Sequence, residues 1–343
     1  MEYLTYQTAT FGLLALPLLA TLKVIVQYLI SSRLASGRLR RLVGGKNIVV
    51  TGGSKGLGKG IARVLVDHGA NVALVARGHE SLVIAQKELR ERTTATQQVL
   101  IQALDLSSFD TVKKAVRDLR AKMGNIDWVI HNAGSAVPGF LADQLDREAE
   151  AMIASNYLAT ANVVRAFVAV AKELAEDKKQ EPTARTWPIS GLSAAAQEEI
   201  PENKYAQRGF ADALRSEFAP LGVNVHLYLP ANMDTPGFKT EGETKPEITA
   251  QIEGAAVTAT PEDAAKALLA GVVAGRYLIC NDILGELIRI SAQGGVPRPN
   301  PVTEALAAPI ISLAFSIWST ITEYEVRTYF SKARPATASK KSD

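Results

Sequence analysis

A glycine-rich turn between a strand pattern and a helix pattern is the strongest constraint on the fold of this chain. The turn contains Gly52, Gly56 and Gly58 and follows the β-branched run 47–51. Apolar residues recur at helical spacing in the run 59–69 after the turn. Glycine suits such a turn because a Cβ would block the tight bend and the close approach of a phosphate, which a helix N-terminus attracts. The turn therefore predicts a nucleotide site.

Strand and helix patterns alternate on both sides of this turn. Strands are predicted at 47–51, 71–76, 98–104, 127–131, 223–230 and near 277–280, and helices at 59–68, 81–93, 110–123 and 147–176. Such alternation predicts an α/β fold, a Rossmann-type doubly wound parallel sheet with helices on both faces. In such sheets the ligand lies at the carboxyl ends of the strands.

Composition narrows the class of protein. The formal charge of +3 over 343 residues, with no aromatic-basic cluster, does not favour nucleic acid as a partner. The chain has a single cysteine, Cys280, so an internal disulfide is excluded, which fits a reducing compartment. Cys280 lies in an apolar run and is predicted to be buried. Four histidines without paired spacing predict no metal site.

The glycine spacing and three later segments resemble the short-chain dehydrogenase/reductase family. Thr51 precedes a Gly-x-x-x-Gly-x-Gly turn, and the later segments begin at Asp105, Asn132 and Asn156, so that the resemblance covers roughly residues 46 to 285. It implies an oxidoreductase that binds a nicotinamide dinucleotide. The cofactor-binding residues that it implies are Gly52, Ser54, Lys55, Gly56, Leu57, Gly58, Arg77, Asp105, Leu106, Asn132, Lys204 and Thr235.

Charges at the end of the second strand predict which dinucleotide binds. An NAD enzyme usually has an acid there for the ribose 2′-hydroxyl, but this chain has Ala76 followed by Arg77, and Lys55 lies in the glycine turn. Two cations without a carboxylate favour a 2′-phosphate and hence NADPH. Alternatively, Arg77 is a solvated strand end, Asp105 caps the following helix and Asn132 is a turn residue.

The catalytic residues that the resemblance implies are Asn156, Ser190 and Lys204. Asn156 would hold a water of the proton relay, or it is a polar residue inside a helix that bonds a neighbouring backbone. Ser190, with Ser193 as a competitor, would hold the substrate carbonyl, or either serine is a turn residue. The family pattern Tyr-x-x-x-Lys is incomplete, because Ile200 stands four residues before Lys204.

The family pattern is missing from 177 to 203. This stretch is polar and contains prolines, and only 187–190 could supply a fifth strand. One hypothesis is that residues from about 177 to 203 replace the segment of the family, through alternative splicing or a faulty gene model. A second hypothesis is a homologue that binds NADPH or a partner without catalysing reduction.

The C-terminal half indicates a substrate class. The segments 232–238, 244–249 and 282–287 resemble those of family members that reduce long-chain 3-keto sphingoid bases with NADPH at the cytosolic face of the endoplasmic reticulum. The polar region 241–254 is predicted to be a mobile lid. A reductase of another lipid or steroid ketone is the alternative.

Two apolar runs suit a substrate that resides in a bilayer. Residues 11–30 are long enough to cross a membrane, and the arginines after them favour a cytosolic domain. Residues 305–321 are marginal for a span and fit a membrane-associated interfacial helix. Alternatively, the first run is an amphipathic or buried helix that packs on the domain, and the second packs on the domain or at a homodimer interface. The predicted division is 1–44 anchor and linker, 45–290 NADPH-binding reductase domain, 291–331 hydrophobic segment and 332–343 disordered tail.

Overall fold

The computed structural model of the chain describes residues 2–31, 36–140, 145–177, 192–193, 202–253, 259–292 and 294–333. The chain is divided into two compact units. The first comprises Leu29–Lys245 and Val257–Glu286, and the second comprises Met1–Tyr28, Pro246–Ala256 and Leu287–Asp343. The first unit contains the nucleotide-binding pattern, so it carries the candidate site.

The described elements alternate as the sequence predicts. The strands are β1 Asn47–Thr51, β2 Asn71–Ala76, β3 Val99–Ala103, β4 Trp128–His131, β5 Leu192–Ser193, β6 Leu227–Leu229 and β7 Leu278–Cys280. The helices are α1 Glu2–Ser31, α2 Ser36–Val43, α3 Gly56–Asp67, α4 His79–Arg90, α5 Phe109–Met123, α6 Asp146–Met152, α7 Ala159–Asp177, α8 Glu202–Phe218, α9 Pro236–Thr244, α10 Glu247–Glu253, α11 Pro261–Val273, α12 Ile283–Ala292 and α13 Pro301–Ala333.

The strands form a parallel sheet, which confirms the predicted fold class. In the described part of the chain the sheet has seven strands in the order β3-β2-β1-β4-β5-β6-β7. The strand order reverses between β1 and β4, so the carboxyl ends of these two strands flank a crevice. Ligands of open α/β sheets bind at this switch point.

Strand alternation creates a hydrophobic core on each face of the sheet. Val50 and Leu74 pack with Ile61 of α3 and Leu268 of α11 on one face. On the other face Val49 and Ala73 join Val116 of α5 and Phe167 of α7. Each fully buried aliphatic or aromatic side chain stabilises the fold by roughly 1.5–3 kcal/mol. The loops at the carboxyl ends of β1 and β4 therefore rest on a well-packed support.

The helix predicted over 147–176 is interrupted. A single π-helical turn, Ile153–Leu158, separates α6 from α7 and contains the buried Asn156. The hydroxyl of Thr160 donates to the Asn156 carbonyl at 2.5 Å, so this backbone carbonyl accepts a hydrogen bond from a side chain. The amino-acid sequence predicted one continuous helix here, and the π-turn that interrupts it is of the short kind that often occurs at functional sites.

Three further predictions are compared with the structure. β5 is described at Leu192–Ser193, and the predicted stretch 187–190 lies outside the described residues. β6 covers only the second half of the predicted 223–230, because pairing ends before Pro230, which lacks an N–H. Most of the predicted lid 241–254 is helical, in α9 and α10.

The second unit contains the apolar terminal helices. Ala20 and Val24 of α1 pack against Ile290 of α12 and Ile311 of α13.

Two helical stretches of the described residues, Asp146–Glu173 and Pro301–Lys332, are long and apolar enough to cross a membrane by length and composition. The first is half buried as a core helix, whereas only 11% of the most apolar window of the second is buried.

Candidate functional site

The glycine turn is packed directly against the loop after β4. Gly52 has φ +64°, and a Cβ there would lie 2.9 Å from the backbone nitrogen of Ala133. A Cβ on Gly58 would collide with the carbonyl oxygen of Gly52 and lie 2.8 Å from Nδ2 of Asn132. Gly58 is therefore required for the contact between α3 and the two loops, which holds the turn at the crevice.

The Thr51 hydroxyl joins the same two loops at the ends of β1 and β4. Its Oγ1 accepts hydrogen bonds from the backbone N–H groups of Asn132 at 3.1 Å and Ala133 at 3.2 Å. It also lies 2.9 Å from Nδ1 of His131, to which its own proton can be donated. Burial lowers the pKa of His131 to about 4, so the ring is neutral and can accept that proton.

A cavity of about 370 Å³ lies beside the turn, at the ends of β2 and β3. Its lining includes Ser54, Lys55, Arg77, Asp105 and Leu106. The family resemblance implies that all five belong to one cofactor site, and the structure brings them together. Lys55 is the N-cap of α3 and makes no side-chain capping bond. The first N–H groups of α3 and two cations therefore provide the donors and charge that a phosphorylated nucleotide requires.

Asp105 is held as an acceptor in this cavity. Its Oδ1 accepts from the backbone N–H of Ser107 at 2.9 Å, and this bond, the Ser107 side chain and the charge of Arg77 lower the pKa of Asp105. The N-cap of α5 is Ser108, so Asp105 does not cap that helix. Asn162 also fixes this loop, although no sequence pattern predicts it: its buried Nδ2 donates to the carbonyls of Leu106 and Ser107 at 3.1 and 2.8 Å.

A second cavity, of about 350 Å³, continues the first across the switch point. Both are lined by Gly52, Lys55, Ala133 and Gly134. The second adds further site residues of the sequence analysis, namely Gly56, Leu57, Asn132, Asn156 and Thr235. Thr235 is the N-cap of α9, and its Oγ1 accepts from the N–H of Phe238 at 3.1 Å. The two cavities form one cleft along the carboxyl ends of the strands.

Asn156 fixes the loop after β4 through both ends of its side-chain amide. Its Oδ1 accepts from the N–H of Ser135 at 2.9 Å, and its Nδ2 donates to the carbonyl of Ser135 at 2.8 Å. A Cβ on Gly134 would lie 2.6 Å from this Oδ1, so the loop and the amide are in close contact. The reciprocal pair sets the wall of the second cavity.

Gln207 of α8 is a site residue that the sequence analysis missed. It is buried and lines the second cavity, and its Nε2 donates to the Asn156 carbonyl at 2.8 Å and to Thr160 Oγ1 at 2.9 Å. Gln207 stands three residues after Lys204 in the amino-acid sequence, but helical periodicity does not indicate that its side chain bonds the Asn156 carbonyl. These bonds attach α8 to the π-helical turn.

Two predicted catalytic residues are only partly placed. Lys204 lies in the first turn of α8, which faces the π-helical turn through Gln207, while its side chain is outside the described part of the chain. Ser190 and Ile200 are also outside it. Ser193 pairs with Tyr228 across β5 and β6. α8 therefore borders the second cavity through Gln207, and β5 lies between β4 and β6 in the sheet.

Comparisons with known proteins agree with this geometry. The family model described as "short chain dehydrogenase" matches residues 46–181. A PIGF/3-ketodihydrosphingosine reductase fusion protein of Schizosaccharomyces pombe is 35% identical over 80% of this chain, which spans 55% of that longer protein. The 3-ketodihydrosphingosine reductase TSC10 of Cryptococcus neoformans is 30% identical over 84% of this chain and 86% of its own length.

A solved structure shares the fold. The short chain dehydrogenase/reductase of Burkholderia phymatum in complex with NAD superposes with a TM-score of 0.59 and 19% identity, covering 73% of this chain and 94% of that one. At this identity the likeness concerns the fold alone.

Proposed function

This chain belongs to the short-chain dehydrogenase/reductase family, and from this premise we propose that it reduces 3-ketosphinganine to sphinganine with NADPH. The observation that carries the proposal is the continuous cleft over the switch point, in a chain similar over most of its length to named 3-ketodihydrosphingosine reductases. One end of the cleft is cationic, and the other is bounded by Asn156 and Gln207. Such a cleft suits a dinucleotide that meets a ketone.

The residues at the cationic end fit NADPH. Gly52 and Gly58 permit the tight turn, and the first N–H groups of α3 suit a pyrophosphate. Arg77 and Lys55 line the cavity where β2 ends, and that strand ends in Ala76 without a carboxylate. Two cations favour a 2′-phosphate over a free 2′-hydroxyl. Asp105, Leu106, Asn132 and Thr235 complete the proposed cofactor contacts.

When bound, NADPH supplies the hydride that reduces the carbonyl carbon. Residues of the chain would position the substrate and deliver the proton. Asn156 holds the loop after β4 in place through Ser135, and Gln207 holds Asn156 in turn. By the family resemblance, Lys204 supports proton delivery and Ser190 holds the carbonyl oxygen. The residue four positions before Lys204 is Ile200, which has no proton to give, so another group or water must protonate the product oxygen.

Ile200 favours a second candidate function. A chain that keeps the glycine turn but lacks the tyrosine of the family pattern suits a protein that binds NADPH without reducing a ketone. General acid catalysis typically contributes about 10²–10⁴ in rate, so its loss would reduce turnover strongly without abolishing cofactor binding.

The test is NADPH oxidation by the purified, detergent-solubilised protein with 3-ketosphinganine, beside NADPH binding measured by fluorescence. We expect turnover, and we expect Lys204→Ala to lower it while Lys114→Ala, an exposed lysine on α5, leaves it unchanged. Binding without turnover would favour the second candidate. Turnover of a neutral lipid or steroid ketone in preference to 3-ketosphinganine would contradict the proposed substrate.

We also propose that α13 contacts the bilayer in which this substrate resides, with the first unit on the cytosolic side of the endoplasmic reticulum. Leu313, Ile317 and Ile321 are each more than half exposed on α13. An apolar helix with Trp318 near the end of its apolar run suits an interfacial position. Liposome flotation tests this. Leu313→Lys with Ile317→Lys should weaken binding, whereas Ile84→Lys, at an exposed apolar position of α4, should not.

Unaltered flotation of the double variant would contradict the bilayer contact of α13 and would assign any membrane attachment to the apolar run 11–30. The homodimer stays a prediction, which light scattering in detergent would check.

A further inference from the structure

The second cavity is chemically asymmetric. Among the described residues that line it, Lys55 and Glu241 carry the only formal charges. Lys55 also lines the first cavity with Arg77 and therefore belongs to the phosphate end of the cleft. Glu241 is contributed by α9, as is Phe238, and Met233 of the preceding loop lines the same cavity. Lys245, one helical turn after Glu241 and not among the described lining residues, places its Nζ 5.1 Å from the centre of the Phe238 ring. The Glu241 carboxylate thus stands in the part of the cleft that the proposed cofactor phosphates do not need.

The proposed substrate matches this charge. 3-Ketosphinganine carries a primary ammonium on C2, directly beside the C3 carbonyl that is reduced. A carboxylate and an ammonium form a charge-assisted hydrogen bond, which is roughly twice as strong as a neutral one. On the basis of the proposed function, we propose that Glu241 binds the substrate ammonium and so selects amino ketones over neutral ketones.

The local structure fixes where Glu241 lies. α9 begins at the N-cap Thr235, whose hydroxyl accepts from the Phe238 N–H at 3.1 Å, and Pro236 follows as the first helical residue. Both features fix the start of the helix, so Glu241 is presented in its second turn. Thr235 lies against the glycine turn as well, since a Cβ on Gly56 would be 3.3 Å from its methyl group. The carboxylate is therefore placed relative to the cofactor end of the cleft.

The surroundings of Glu241 strengthen such a contact. Its side chain is half-buried, and Met233 and Phe238 present apolar surface to the same cavity. An ion pair that is partly shielded from water is screened less than one on the open surface. The alkyl chain beside the ammonium also requires apolar lining, which these two residues offer.

The chain offers a matched control on the same helix. Glu243 is two residues further along α9, exposed and not among the described residues that line the cavity. Glu241→Gln and Glu243→Gln remove the same charge and keep nearly the same shape. If Glu241 only stabilised α9, both substitutions would change thermal stability similarly and neither would alter ligand discrimination.

The experiment measures equilibrium binding of sphinganine and of N-acetylsphinganine, which lacks the ammonium, to the NADP⁺-loaded full chain in detergent. Turnover of 3-ketosphinganine is followed in parallel. The expected result is that Glu241→Gln weakens sphinganine binding about tenfold, the size of one charged hydrogen bond, and leaves N-acetylsphinganine and NADP⁺ binding unchanged. Glu243→Gln should match the unaltered chain.

Equal sphinganine affinities for Glu241→Gln and the unaltered chain would overturn the inference whether or not the protein turns over. Absence of turnover in a chain that still binds sphinganine through Glu241 would instead refute the proposed reaction and keep the ammonium site. The binding ratio and the rate therefore separate the two failures.

Discussion

The side-chain amide of Gln207 donates to the backbone carbonyl of Asn156 at 2.8 Å, and the two residues are 51 positions apart in the chain. The same Nε2 lies 2.9 Å from Thr160 Oγ1, whose proton is donated to the same carbonyl. One buried amide therefore joins α8 to the π-helical turn. Since Asn156 in turn fixes Ser135, the wall of the second cavity depends on this contact.

We expect Gln207→Leu to lower both stability and turnover. The change leaves the buried Asn156 carbonyl without one donor, which costs roughly 1–3 kcal/mol of unfolding free energy. Because the loop after β4 loses support, kcat should fall more than NADPH affinity. The control is Gln86→Leu, which removes a 2.7 Å bond to the carbonyl of Val99 away from both cavities. An equal loss of kcat in both variants would show that the effect is only one of stability.

Gly58→Ala should abolish tight NADPH binding. The new Cβ would collide with the Gly52 carbonyl and approach Asn132, so the turn must move away from the crevice. Gly209→Ala is the matched change, because Gly209 lies in α8 and no described atom outside its own helix backbone and chain neighbours lies within 4 Å of its Cβ position. That substitution should stabilise the chain by up to about 1 kcal/mol. Fluorescence titration with NADPH measures the first effect, and unchanged affinity in Gly58→Ala would contradict the packing argument.

Arg77→Ala should change the cofactor preference. Arg77 lines the first cavity and is close enough to lower the pKa of Asp105. If it binds the 2′-phosphate, its removal should weaken NADPH binding about tenfold and leave NADH binding nearly unchanged. Arg90→Ala, at the far end of α4 and not among the described residues that line the cavity, is the control for the loss of one positive charge elsewhere on the surface. A parallel decrease for NADPH and NADH would argue against a phosphate contact.

Stability should fall as the pH is lowered from 6.5 towards 4. Burial holds the native pKa of His131 at about 4, below its ordinary value of 6.5, so the unfolded chain binds the additional proton in this window. Stability from this group is complete above the unfolded value and decreases by up to about 3 kcal/mol across the shift. Urea unfolding at several pH values measures it. His131→Asn should reduce the slope, and His79→Asn, an exposed residue of α4, should keep it.

An unchanged slope in His131→Asn would assign the acid sensitivity to carboxylates elsewhere. A slope of opposite sign in the unaltered chain would exclude a neutral buried ring.

Local patterns determined much of the architecture. β1 and β2 begin and end at the predicted residues, because β-branched runs bounded by turn residues report burial on both faces of a parallel sheet. The glycine spacing placed the turn between β1 and α3, since the positive φ of Gly52 and Gly56 and the contact of Gly58 with the Gly52 carbonyl are demands within the turn itself. The preference for NADPH is likewise predicted from the amino-acid sequence alone, because Ala76 and Arg77 stand at the end of β2 in place of an acid.

Only the tertiary structure decided which residues meet. Two hydrogen bonds join segments far apart in the chain, that of Gln207 with Asn156 and that of Asn162 with the loop of Asp105. Glu241 likewise lines the second cavity together with residues from distant segments. Hydropathy and helical spacing report whether a position is buried, but they do not report which partner a buried polar group finds. That choice depends on how the helices pack on the sheet, since only the packed structure brings distant donors and acceptors within hydrogen-bonding distance.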